Sequence, residues 1–156
     1  MFMPSEIKQV DVSEKPLVRR VAIARGFIKL RRETIERIRS GEVEKGDPLQ
    51  LARITGINSA KLTPLLLPLC HPLRLDHVEV NPRITDEGIE VEAIIQAIER
   101  TGVEMEALTA VSVALLNIWD VVKKYEKNDE GQYPTTEITS IRVVEKVKKD
   151  VTIETS

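Results

Sequence analysis

From Ala107 to Val122 the chain is apolar at almost every position, with Thr101 and Glu104 standing at capping-box spacing in front of it. The pattern predicts one long helix from about Thr101 to Lys124 that is apolar nearly all round. A helix of that kind has no face to give to water, so it must be covered on more than one side, by a sheet and other helices or by another subunit. Nowhere do roughly eighteen uncharged apolar residues follow one another, and the first residues carry no apolar run of signal-peptide length, so no membrane segment is expected.

The flanking segments supply the sheet. Val18 to Lys29 alternates as a strand, with Val21, Ile23 and Phe27 on one face, which Arg19 and Arg25 interrupt. Arg31 to Ser40 places Ile35 and Ile38 at helical spacing and stops at Gly41. A second helix starts at Gly46-Asp47-Pro48, with Asp47 as N-cap, Pro48 at the first helical position, and Leu51, Ile54 and Ile57 on its buried side. Pro64 and Pro68 break Leu65 to Leu69 into a buried loop or a single turn. Leu75 to Ile84 and Ile89 to Ile98, separated by Asp86-Glu87-Gly88, read as an antiparallel hairpin, and Ile138, Ile141, Val143 and Val144 mark a last strand ending in Lys146, Lys148 and Lys149. Strand, two helices, hairpin, long helix and strand predict an α+β fold: a ferredoxin-like antiparallel sheet with helices packed on one face. The 156 residues read as a single domain with a polar N-terminal arm over about 1–16.

Charge excludes some classes of partner. With 23 Lys and Arg against 25 Asp and Glu the net charge is −2, and no basic face emerges that would make nucleic acid the main partner. An anionic ligand must be met by locally placed cations. One cysteine leaves no disulfide framework and no paired-cysteine spacing for zinc, which makes the cytoplasm the expected compartment.

Two stretches carry the chemistry. Pro68-Leu69-Cys70-His71-Pro72 denies helix and regular sheet to the residues between the prolines, so the amides of Leu69, Cys70 and His71 are free to face a ligand. Cys70 as a small buried hydrophobe and His71 as a satisfied loop histidine is the plainer reading of that segment alone; zinc held by Cys70, His71 and His77 fits no common spacing. Glu104 serves equally as half of a capping box, and Glu106 as a first-turn acid that suits the helix dipole. Asp120 is an acid within an apolar run, with Lys123 and Lys124 one turn on; a surface ion pair is as good an account as function. Lys45 precedes a helix start, where free backbone donors already favour an anion. Together with Lys15, Arg20, Arg53, Lys61, Lys123 and Lys146 it would suit a polyphosphate.

At Lys45-Gly46-Asp47, Pro68-Leu69-Cys70-His71-Pro72-Leu73 and Thr101 to Asp120 the sequence closely resembles accessory protein C of molybdenum cofactor biosynthesis, the cyclic pyranopterin monophosphate synthase family. Weaker similarity, including Asp11-Val12-Ser13 and Arg32-Glu33-Thr34, extends it over nearly the whole chain. The resemblance implies that a cyclised dihydro-GTP is rearranged to the pyranopterin while its triphosphate becomes a cyclic phosphate, with release of pyrophosphate and no redox cofactor. Carried over by position, it makes Asp120 the catalytic carboxylate and Lys45 and Lys123 its acid/base or charge-stabilising partners. Leu69, Cys70, His71, Met105 and Glu106 become substrate contacts, and Glu104, Lys61, Lys15 and Arg20 further polar positions around the pocket. Where the family carries a glycine-rich segment with lysines, this chain has Glu145-Lys146-Val147-Lys148-Lys149-Asp150 without glycine; Lys146 is assigned to the triphosphate, with Lys148 and Lys149 as alternatives. The resemblance also implies a homo-oligomer built from dimers, a hexamer. Two competing readings are a metal-dependent nucleotide hydrolase using Cys70, His71 and His77, and a non-catalytic ferredoxin-like assembly subunit.

Overall fold

The computed structural model describes residues 6–151; residues 1–5, the start of the expected arm, and 152–156 lie outside the described residues. The elements run β1 (Val18–Lys29), α1 (Arg32–Arg39), α2 (Pro48–Lys61), α3 (Thr63–Leu66), β2 (His77–Ile84), β3 (Gly88–Glu99), α4 (Glu104–Glu126) and β4 (Glu137–Asp150). The strands form one antiparallel sheet in the order β2-β3-β1-β4, with helices on one side, which is the expected ferredoxin-like arrangement. Helix α4 is long and apolar enough to cross a membrane by length and composition, but it lies against β1, β3, β4 and α2 as a core helix.

How close α4 comes to its neighbours decides which side chains are buried. Val21, Ile23 and Phe27 do share a face of β1, but it is the face turned away from the helices, where they are half-buried; the helix side carries Arg20, Ala22, Ala24, Gly26 and Ile28. Gly26 lies so near α4 that a Cβ would stand 2.7 Å from Val111 Cγ1 and 2.8 Å from Leu115 Cδ1. Opposite Gly26 the register of β4 shifts, and Ser140 takes a left-handed φ of 59° in that irregular stretch.

The same constraint corrects the expected face of α2. Ile54 is 64% exposed, and the buried residues are Pro48, Ala52, Gly56, Ser59 and Ala60. A Cβ on Gly56 would meet the Val80 methyls at 3.0 Å and the Ala110 carbonyl oxygen at 3.3 Å, so a small-residue stripe is what fits between α2, β2 and α4. Between Pro64 and Pro68 the chain does form a single turn, α3, but it is not a buried one: Leu65 is 79% and Leu66 57% exposed.

Only α2 among the described helices begins with a side-chain cap. Asp47 caps α2 by accepting from the Leu49 amide at 2.8 Å, with Pro48 in the first turn. The capping box expected at Thr101 and Glu104 does not form; Val103 stands at the N-cap without a side-chain bond and Glu104 is already helical. At the other end α4 reaches Glu126, whose fully buried carboxylate accepts from the Arg31 amide at 3.1 and 3.2 Å, from Thr136 Oγ1 at 2.7 Å and from Thr34 Oγ1.

Gly26→Ala is expected to destabilise the protein by about 1–3 kcal/mol, the usual range for overpacking a close-packed contact. Chemical denaturation of the two proteins, compared at equal m-value, measures it.

Candidate active site

At the N-terminal end of α4 a cleft of about 180 Å³ opens between the Leu69–His71 loop and the segment from Thr101 to Glu106. Arg20 sets the entry to that segment: its guanidinium donates to the carbonyls of Glu99 at 3.1 Å and Arg100 at 3.3 Å, just ahead of Thr101-Gly102. A Cβ on Gly102 would fall 2.3–2.6 Å from the Glu104 carboxylate oxygens, so the absent side chain is the space in which that carboxylate rests. Lys146 Nζ, from β4, pairs with the buried Oε1 of Glu104 at 2.6 Å. Burial pushes the Glu104 carboxyl up, but Lys146, the backbone amide and the charge of Arg20 outweigh it and bring it below the usual range.

Glu106, 3% exposed, has no such cation. Burial, and then the charge of Glu104, raise its carboxyl above the ordinary value. The cleft thus holds one acid kept ionised and another biased toward its neutral form, two residues apart. Burial and the charge of Glu106 also raise the Cys70 thiol, which argues against a thiolate nucleophile. The Cys70 amide is not free for a ligand as expected; it donates to the Leu67 carbonyl at 3.0 Å. His71 Nε2 lies 2.6 Å from the Val10 carbonyl oxygen. Since that oxygen can only accept, Nε2 carries the proton, and Nδ1 is the nitrogen left for the site.

Near the other end of α4 lies a second cluster. Asp120 is 59% exposed, with Lys123 Nζ 3.1 Å from Oδ1 and Lys45 Nζ 3.7 Å from Oδ2. Lys45 also donates to the Asp120 carbonyl at 3.4 Å. The hydrogen bond from Lys123 and the charges of Lys45 and Lys123 hold the Asp120 carboxyl below its ordinary range. Two ammonium groups flanking an open carboxylate form a surface on which phosphate oxygens can replace carboxylate oxygens as partners of the lysines.

The remaining expected residues are dispersed. Met105 and Leu69 edge the cleft, 38% and 47% exposed. Lys15 sits in an exposed turn closed by its amide to the Val12 carbonyl at 3.0 Å, and Lys61 is exposed at the end of α2; among the described residues neither makes an ion pair. His77 faces Glu79 at 3.7 Å, while His71 is engaged by Val10, so Cys70, His71 and His77 do not gather into a group that could hold a metal ion. Thr101 and Gly102, read from the sequence as part of the start of the long helix and not as site residues, also line the cleft. A glycine beside the first acid of a helix was the available signal.

Two predictions follow from the cleft. Gly102→Ala should leave the fold intact, because a flexible carboxylate can swing away from the added methyl, yet it should displace Glu104 from Lys146; thermal unfolding and ligand titration separate the two effects. For Glu106, folding favours the neutral acid, so its contribution to stability is full below the unfolded-state pKa and lost as pH rises through the folded-state one. Glu106→Gln should therefore unfold at a higher temperature than the parent at pH 7, with the difference shrinking at pH 4.

Residues 9–149 match the family model described as the MoaC family. The chain is 57% identical over 144 residues to a protein of Sulfurisphaera tokodaii named probable cyclic pyranopterin monophosphate synthase, covering 92% of this chain and 95% of that one. Proteins carrying the same name in Sulfolobus acidocaldarius and Pyrococcus abyssi are 56% and 51% identical, over 89% and 91% of this chain and 97% and 89% of their own lengths. Full-length similarity of that order, on a sheet and helix arrangement of the expected type, makes this chain a member of the MoaC family.

Proposed function

We propose that the protein is a cyclic pyranopterin monophosphate synthase, a lyase of molybdenum cofactor biosynthesis that converts the cyclised dihydro-GTP to cyclic pyranopterin monophosphate and pyrophosphate. The observation that carries the reading is Asp120 between Lys45 and Lys123, in a chain whose relatives are named for this activity. Opening and reclosing rings requires groups that move protons both ways, and departure of pyrophosphate requires fixed positive charge. Alone, Asp120 is a weak base because its lysines hold it ionised. A triphosphate that draws Lys45 and Lys123 onto its own oxygens relaxes that hold, so the carboxylate gains proton affinity when substrate is in place.

The cleft suits the uncharged part of the substrate. Glu104 and Glu106 line it with carboxyl oxygens that can accept from ring N–H groups. Leu69, Cys70, His71 and Met105 supply the wall, with Arg20 and Lys146 behind Glu104. Lys15 and Lys61 are further cations for the triphosphate. The enzyme acts as a single cytoplasmic domain with a small-molecule substrate and requires neither nucleic acid nor membrane.

The two clusters do not form one site within a chain. Glu106 and Asp120 are fourteen residues apart on α4, roughly 21 Å at 1.5 Å per residue. A compact reacting centre cannot touch both. A two-fold pairing that brings the Met105–Glu106 end of one protomer to the Asp120 end of the other completes the site, and the exposed Leu65, Leu66, Leu69 and Met105 beside the cleft give such a pairing an apolar surface. Dimers of this kind assembled into a hexamer are the quaternary structure we propose.

Asp120→Asn should keep the fold and lower product formation by about 10²-fold or more, since the near-isosteric amide cannot take a proton; product is read as the fluorescent oxidised pterin. Lys45→Ala and Lys123→Ala should each fall well below an exposed control such as Lys8→Ala. A folded Asp120→Asn protein with near-normal turnover would remove Asp120 from catalysis.

Mixing inactive Glu106→Ala and Asp120→Asn proteins under subunit exchange should restore activity, because one of the two sites in each mixed dimer is then intact. No recovery, with exchange confirmed by mass spectrometry, would place both residues in a site of one chain.

A further inference from the structure

We infer that the Tyr125 hydroxyl is a positioning group for Lys45, holding the loop between α1 and α2 to the last turns of α4. This inference rests on the reading of Lys45 as part of the reacting cluster. Lys45 belongs to a tight turn closed by the Gly46 amide to the Val43 carbonyl at 3.1 Å, with Gly46 at a left-handed φ of 117°. Its own side chain is 51% exposed, and the partners it finds are Asp120 Oδ2 at 3.7 Å and the Asp120 carbonyl at 3.4 Å. A long ammonium side chain so lightly held stays beside Asp120 only if its backbone is fixed.

The fixing comes from the residue before it. The Glu44 amide donates to the Tyr125 hydroxyl oxygen at 2.9 Å, and the Glu44 carboxylate pairs with Lys124. Tyr125 is itself immobilised: its ring packs against the core, the Arg37 guanidinium lies 4.5 Å above the ring centroid, and its carbonyl accepts from Arg31 Nη1 at 2.9 Å. Arg37 reaches the same loop, donating from Nη1 to the Glu42 carbonyl at 3.1 Å. Asp120, Lys123, Lys124 and Tyr125 therefore belong to one stretch of α4. The helix that carries the acid also carries the hydroxyl that sets the height of the loop bearing the opposing cation.

Tyr125→Phe tests this because it keeps the ring, the core contacts and the Arg37 stack while removing the acceptor. Losing one such hydrogen bond is expected to lower kcat roughly three- to tenfold. Amide hydrogen exchange should accelerate at residues 43–46 but not in α4. Tyr133→Phe, which removes a hydroxyl from the ring stacked edge-on against Trp119 at 5.1 Å, is the control and should match the parent. In a Lys45→Ala background, followed in single turnovers with enzyme in excess, adding Tyr125→Phe should cost nothing more, since the group it positions is gone.

Parent-like kcat in Tyr125→Phe, or an equal loss with and without Lys45, would overturn the inference. If Lys45→Ala alone turned over like the parent, the role of Lys45 would be what fails. In that case exchange at 43–46 still reports whether the hydroxyl holds the loop.

Discussion

The structure depends on how closely α4 approaches the sheet and α2. The 23-residue helix is held along its inner side, where Ala107, Ala110, Val111, Ala114, Leu115, Ile118 and Val122 are all fully buried, while Met105, Leu116, Asp120 and Lys124 face outward. It is accommodated by small residues on three of the surfaces it meets: Ala22, Ala24 and Gly26 on β1, Ala93 and Ala97 on β3, and Ala52, Gly56 and Ala60 on α2. Close packing of this kind places backbones nearer together than large side chains allow, and it makes the helix a rigid ruler. Whatever stands at its two ends is held at a fixed separation.

Both ends are tied to the rest of the molecule by carboxylates. Glu126, fully buried, gathers a backbone amide from the start of α1, Thr34 inside α1 and Thr136 ahead of β4. A buried carboxylate is costly unless its acceptor sites are used, and here three residues from two segments of the chain use them. At the other end Glu104 rests over Gly102 against Lys146 of β4. The Asp120 cluster lies one to two turns inside the first anchor, and the cleft lies at the second. The proposed chemistry is thereby placed on a firmly held element of the fold, as precise positioning of reacting groups requires.

Much of this was legible in the sequence, for identifiable reasons. The bounds of β1 follow from an alternation that two arginines interrupt, the start of α2 from Asp47-Pro48, and the hairpin from Asp86-Glu87-Gly88, all signals carried by neighbouring residues. Asp120, Lys123 and Lys45 could be assembled because two of them share a helix turn and the third matches a family motif. What failed depended on distance in the chain. Where α4 comes nearest, β1 and α2 present Ala22, Ala24, Gly26, Ala52 and Gly56 rather than Ile23 and Ile54, because only the approach of α4 decides which face must be thin. The capping box was a local pattern overruled by a β4 lysine more than forty residues away. Glu126 gave no hint at all, since Thr34 lies 92 residues before it.

The claim on which the functional account turns is that substrate bridges the two ends of α4 from neighbouring protomers. Its most direct test is the crystal structure of the Asp120→Asn protein with the cyclised dihydro-GTP bound. The account predicts a ligand that touches Glu106 and His71 of one protomer and, at its triphosphate end, Lys45 and Lys123 of another. A ligand seated wholly at one cluster, with the other facing solvent, would contradict it.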